Sequence, residues 1–399
     1  MLRKILVRDL TLGMYIHKFC QPWVNDPFWI DNVESLLQDP AILARIQQSS
    51  TTEVWIDIGQ GLRPKTTTAA APLPGKPLIA DTSPVSMSSE LARASQICGR
   101  AKAAVMAMFT DAKMGRAIHL EDVDLVVEEI ANSVLRHPHA LISLSRLKTS
   151  DEYTYMHSVA VCALMVALAR QMEFSEERAR EAGVAGLMHD VGKMMISTAI
   201  LNKPDRLTVD EFQAMKSHPE AGLKILQESQ QMTDAVMDVC LHHHEKIDGT
   251  GYPHGLTGDQ ISLFAKMGAI CDVYDAVTSE RPYKKGWDAA HSIREMASWK
   301  GHFDESVFQH FVKTVGIYPV GALVRLKSDR LGVVIEQGTK SLLQPKVKVF
   351  MSTRTRSRIE HKVINLEHPE VEDAIVKFEL AQDWGVGDVN SLWSKSSLD

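Results

Sequence analysis

From about Glu90 to Lys313 the apolar residues return every three and four positions and nowhere alternate as a strand would. This pattern covers more than half of the chain and restricts the fold strongly. Such a block buries its apolar stripes by packing helix on helix, and it is long enough for a bundle around one sizeable core. Helix starts are legible inside it. Ser175 precedes Glu176 and Glu177, acids that suit the positive end of a helix. Thr208 and Glu211 have the spacing of a capping box, and Thr233 with Asp234 opens a further helix. The chain is therefore expected to be mainly α. Its longest apolar run, Val159–Ala169, is far below the ~20 residues a membrane helix needs, so no membrane span is expected.

The flanks differ. Residues 1–62 read as a small α+β module with a strand at Glu53–Ile58. Residues 63–89 turn rich in Pro, Thr, Ala and Ser and read as a linker. The helical domain follows at 90–315, and 316–399 reads as a β-rich extension. Strands are expected there at Leu323–Leu326, Gly332–Glu336 and Lys346–Phe350, as a partial barrel. Between Ala322 and Val363 ten Lys/Arg face three Asp/Glu, which suits a solvated sheet face or a surface for an acidic partner. Overall, 44 basic and 50 acidic residues leave a net charge of -6, which argues against a protein that coats nucleic-acid polymers. An anionic ligand has to be held by a local cluster. The five cysteines, at 20, 98, 162, 240 and 271, include no CxxC, so neither a disulfide framework nor a zinc ribbon is expected. A reducing cytoplasm fits, and the opening MLRKILVRDL lacks the apolar core of a secretory signal.

Six of the sixteen histidines fall between His157 and His244, most of them beside acids or one another. They form an ordered series: His157, then His189-Asp190 with Lys193, His218, and His243-His244-Glu245, with Asp272 downstream. Taken singly, each has a plain structural reading as a core histidine, a helix-boundary residue or a polar helix position. Together they offer imidazole and carboxylate without thiolate, the donor set of divalent first-row metals. Ligands on different helices of a bundle can project inward and meet. Val236, Val239 and Cys240 precede His243 at helical spacing, which aims His243 at the core, where an unpaired imidazole would be costly. The loop Asp248-Gly249-Thr250-Gly251-Tyr252-Pro253 has two glycines that permit positive φ and close approach to a ligand. Its proline fixes the exit, and its tyrosine can offer a hydroxyl to a phosphate.

This order of His, His-Asp, His, His-His-Glu-x-x-Asp-Gly-x-Gly-Tyr-Pro and Asp resembles the HD-GYP family, a subgroup of the HD metal-dependent phosphohydrolases. The resemblance covers about residues 135–315. It implies an HD-type helical bundle, here carrying a small N-terminal α+β module and a short C-terminal β appendage. It also implies hydrolysis of the bacterial second messenger cyclic di-GMP. Matched position by position, the implied metal ligands are His157, His189, Asp190, His218, His243, His244 and Asp272, with Asp190 bridging two metals. Lys193 and Tyr252 match substrate contacts, and Arg281 with Lys284 match a pair that clamps phosphate. Some members carry a glutamate four residues before the first histidine that supports a third metal. Tyr153 stands there, with Asp151 and Glu152 off that register, so two metals are expected. Iron, manganese, nickel and cobalt all suit the donor set. RDLTLGMYI and PFWIDN at the start are similar to a small domain of unknown function found ahead of HD-GYP modules.

The implied reaction is attack of a metal-bridging hydroxide on phosphorus, in line with the ribose 3′-oxygen, giving pGpG and then GMP. Asp190 and Lys193 would carry the chemistry, with Lys193 and Arg281 stabilising charge; a metal-bound water or Lys193 would be the general acid. The alternative from another class is a slow or inactive cyclic di-GMP receptor acting through partner domains. A hydrolase of another nucleotide is disfavoured by the Gly-Tyr-Pro loop and by Arg281-Pro282-Tyr283-Lys284. Signalling-protein partners and a homodimer are allowed for.

Overall fold

The computed structural model describes residues 2–19, part of 35–57, 82–147, 153–203, 205–229, 232–279 and 286–394. The chain divides into two compact units, Met1–Ala80 and Asp81–Asp399. The first holds an antiparallel sheet of four strands, β1 (Leu2–Leu6), β2 (Tyr15–Phe19), β3 (Ser35–Leu36) and β4 (Glu53–Asp57), in the order β1-β4-β2-β3. Val54 and Ile56 of β4 are fully buried and meet Val7, Leu10, Met14 and Ile16 in a small core.

The second unit is the helical block, mainly α as the periodicity requires. Helices α1 (Met87–Lys113), α2 (Leu120–Arg136) and α3 (Pro138–Ser145) lead into α4 (Tyr153–Gln171) and α5 (Glu176–Met188). A 3-10 turn, Val191–Met195, precedes α6 (Thr198–Leu201), α7 (Val209–Met215), α8 (His218–Glu228) and α9 (Asp234–His242). Three more follow: α10 (Leu263–Thr278), α11 (Ala289–Ser298) and α12 (Glu305–Val315). Helix α1 begins at Met87, inside the stretch whose composition reads as linker.

Helix α4 is the centre of the bundle. Every residue from Val159 to Ala169 is buried, the arrangement of a helix that is apolar all round. Helix α5 lies close against it because Gly183 and Gly186 carry no Cβ. A methyl group at Gly186 would come 2.9 Å from the Val161 carbonyl oxygen. The caps read from sequence are made: Ser175, Thr208 and Thr233 accept from backbone N–H groups of the first turns, and Thr208 with Glu211 closes a full capping box.

The same unit ends in an antiparallel sheet of five strands in the order β8-β7-β6-β5-β9. These are β5 (Leu323–Leu326), β6 (Arg330–Glu336), β7 (Lys346–Ser352), β8 (Arg358–Asn365) and β9 (Ile375–Phe378), followed by a short helix α13 (Ser391–Ser394). Its edges β8 and β9 do not pair with each other, so the sheet does not close into a full barrel. Val333 of the sheet and Trp393 of α13 share the core of the helices.

Candidate metal centre

Five elements bring the ordered series together. His157 comes from the first turns of α4, His189 and Asp190 end α5, His218 opens α8, His243 and His244 close α9, and Asp272 lies on α10. All but His244 are buried, and His189 and Asp190 are 0% exposed. Facing donor atoms form two groups, each lying within 4.8 Å: His157, His189 and Asp272, and Asp190, His218, His243 and His244.

Two carboxylates link these groups. Asp190 Oδ2 lies 3.4 Å from His157 Nε2 and 3.3 Å from His189 Nε2, while its Oδ1 lies 3.3 Å from His218 Nε2 and 3.7 Å from His243 Nε2. Asp272 divides likewise, Oδ1 to His157 Nε2 at 2.9 Å and Oδ2 to His244 Nδ1 at 3.6 Å.

The tautomers follow from the outer contacts. Carbonyl oxygens only accept, so Nδ1–H donates to Gly186 O from His189 (2.8 Å), to Met215 O from His218 (2.7 Å) and to Val239 O from His243 (3.0 Å). His157 Nδ1 lies 2.6 Å from the Asp275 carboxylate. These outer partners leave the Nε2 atoms facing inward, the pattern by which metal-binding histidines are oriented. The interior is thus crowded with acceptors. His218 Nε2 and His243 Nε2 stand 3.4 Å apart, and His189 Nε2 and Asp190 Oδ1 are buried without a hydrogen bond. Acceptors facing acceptors in a dry site call for cations, and imidazole with carboxylate suits a divalent first-row metal.

The electrostatics agree. Burial resists charge on both carboxylates, but His189 and Lys193 beside Asp190, and His157 and His244 beside Asp272, hold them well below the usual carboxylate range. Burial pushes His243 down to about 4, and burial with the neighbouring His243 takes His244 well down too. His189 goes the other way: burial opposes its charge, but Asp190 and Asp272 outweigh that and raise it. Any proton that this rise keeps on His189 has to be displaced by an incoming cation. Titrating EDTA-treated protein with Mn²⁺ by calorimetry, in two buffers of different ionisation enthalpy, should show net proton release that declines as the pH is raised. Uptake without proton release would show His189 to be neutral beforehand.

Local packing explains the glycine between Asp190 and Lys193. A Cβ at Gly192 would lie 1.9 Å from the His218 carbonyl oxygen and 2.4 Å from Gly222 N. The turn after Asp190 and the start of α8 touch backbone to backbone, which sets His218 against the aspartate. Lys193 reaches back to Asp190 Oδ2.

Of the two loop glycines, Gly249 has φ +78°, while Gly251 serves close approach: its Cβ would meet Lys246 N at 2.4 Å. Tyr252 stacks on His244, centroids 4.7 Å apart and planes at 30°, and so lies at the wall of the centre. Glu245, 2% exposed, holds the loop. Its Oε1 accepts from His254 N (2.7 Å) and Gly255 N (3.1 Å), and its Oε2 from Leu256 N (3.0 Å).

Arg281, Lys284, Asp151 and Glu152 lie outside the described residues. Asp275 was not singled out from the sequence, and Glu245 was named in the series without a role. Asp275 had a signal, since it follows Asp272 by three residues on one helix and so shares its face.

A family model described as an HD domain matches residues 126–307, and one described as a domain of unknown function (DUF3391) matches 2–123. A cyclic di-GMP phosphodiesterase of Pseudomonas aeruginosa is 54% identical over 399 residues, 99% of this chain and 96% of that protein. A cyclic di-GMP phosphodiesterase response regulator of Xanthomonas campestris pv. campestris is 41% identical over 166 residues, 40% of this chain and 43% of that protein. A solved HDGYP protein from Bdellovibrio bacteriovorus superposes with a TM-score of 0.49 at 17% identity, over 78% of this chain and 99% of that one.

Proposed function

Since the chain belongs to the HD-GYP family of HD-domain proteins, we propose that it is a metal-dependent phosphodiesterase that hydrolyses cyclic di-GMP. The observation that carries this reading is the sharing of Asp190 and Asp272 between two groups of inward imidazoles. The full-length likeness to a cyclic di-GMP phosphodiesterase supports the choice of substrate.

His157, His189 and Asp272 would hold one divalent cation, and His218, His243 and His244 a second, with Asp190 between them. The donors suit iron, manganese, nickel or cobalt. Such a pair, when bound, supplies Lewis acidity that acidifies water and screens phosphate charge. The chain's own residues do the rest. The buried walls around Asp190 keep bulk water away, which strengthens each charge inside. Lys193, at 20% side-chain exposure, sits between Asp190 and solvent, placed to meet a phosphate oxygen as charge develops. Tyr252 is fixed by its stack on His244 and by the Glu245-bound loop, and it bounds the substrate on that side. Arg281 and Lys284 are proposed as the phosphate clamp, by their match to the family motif.

Protein loaded anaerobically with Fe²⁺ or Mn²⁺ and incubated with cyclic di-GMP should yield pGpG, GMP or both on chromatography. Tight binding with the dinucleotide intact after hours would replace the enzyme by a receptor.

A further inference from the structure

Helix α7 and the turn into α8 carry a feature that the metal centre does not use. The Lys216 ammonium lies 5.0 Å from the centroid of Phe212 and 5.2 Å from that of Tyr252. Tyr252 in turn stacks on His244, so the column Phe212, Lys216, Tyr252, His244 runs from the surface to the candidate metal ligands. Its outer end is open, with Phe212 49% exposed. Its inner end is anchored, because the residue before Lys216, Met215, receives the His218 Nδ1–H bond.

The lysines nearby differ in how they are neutralised. Lys193 pairs with Asp190, and Lys203 with Glu211 at 2.6 Å. Among the described residues Lys216 has no carboxylate partner. Two aromatic faces hold its charge in place without cancelling it. A half-buried cation kept ready in this way at the wall of a phosphodiesterase centre suits an anion.

We infer that Lys216 binds the second, non-scissile phosphate of the cyclic dinucleotide, positioned for this by Phe212 and Tyr252; the inference rests on the reading of the centre as a cyclic di-GMP hydrolase. The substrate ring carries two phosphates with a ribose on each side between them. With one phosphate at Asp190, the other finds no cationic side chain among the seven clustered donor residues, and Lys216 stands beside them on the Tyr252 side. Lys216 is a determinant of substrate affinity and ring size, not of bond cleavage.

The test compares wild type with Lys216→Ala, Lys216→Arg and Phe212→Ala in metal-loaded full-length protein. For cyclic di-GMP, Lys216→Ala should raise KM about tenfold with kcat within about twofold, a loss of about 1.4 kcal/mol in binding. Lys216→Arg keeps the cation and should restore most of the affinity, and Phe212→Ala should raise KM by about threefold. An unchanged KM in Lys216→Ala overturns the inference. So does a fall in kcat alone, which would place Lys216 behind His218 as a structural support. Titration of metal-loaded wild type and Lys216→Ala with cyclic di-GMP, with the products followed by chromatography, separates the two readings. If wild type binds but does not cleave, the enzyme reading fails, and the difference in Kd still decides the role of Lys216. If wild type does not bind, both fail.

Discussion

Asp190→Ala should reduce cyclic di-GMP turnover by more than about a thousandfold while leaving the helical circular dichroism spectrum nearly unchanged. The side chain is 0% exposed and divides its oxygens between His157 and His189 on one side and His218 and His243 on the other. Its removal takes a ligand from both proposed cation positions at once. Metal analysis after loading should therefore show loss of most of the metal, not half of it. The fold survives because the core of α4 and α5 is apolar and does not depend on this carboxylate. Turnover that persists in this variant would show that the ligand assignment is wrong.

Gly192→Ala should be nearly as damaging by a different route. The added methyl would meet the His218 carbonyl and Gly222 N, which are backbone atoms that cannot rotate away. Overpacking of this kind costs about 3 kcal/mol, and relief by moving α8 pulls His218 out of the cluster. Lower thermal stability together with weaker metal retention is the expected result. Gly99→Ala provides the control: Gly99 lies within α1 with nothing within 4 Å of the new methyl. That change should stabilise by roughly 0.5–1 kcal/mol through helix propensity. Equal behaviour of the two variants would remove the argument from close backbone contact.

The site was more legible than the fold around it. Most of the ligand residues stand where a helix begins or ends, and the caps Ser175 and Thr233 mark the starts of two of the helices that carry them. Asp275 and Glu245 were harder to see, because they act on other residues of the site. One orients His157 and the other binds backbone; only Asp275, three residues after Asp272 on one helix, leaves a trace in the spacing. The strands were legible only where a buried face imposes it. Val347 and Val349 of β7 alternate with lysines, whereas β8, on the edge, is largely exposed from Arg358 to Val363 and has no apolar alternation. In the first unit, β1 carries Arg3 and Lys4 among its apolar residues, and only its pairing with β4 establishes it as a strand.

The hold of Glu245 on His254, Gly255 and Leu256 limits what descendants of this chain can change. The carboxylate adjoins His244 and grips the far side of its own loop, so the intervening span behaves as a closed ring of set circumference. Lengthening or shortening it by one residue would twist the two histidines before it, whereas the open β8 edge can accept additions freely. Related chains should therefore vary in length almost anywhere before this ring does.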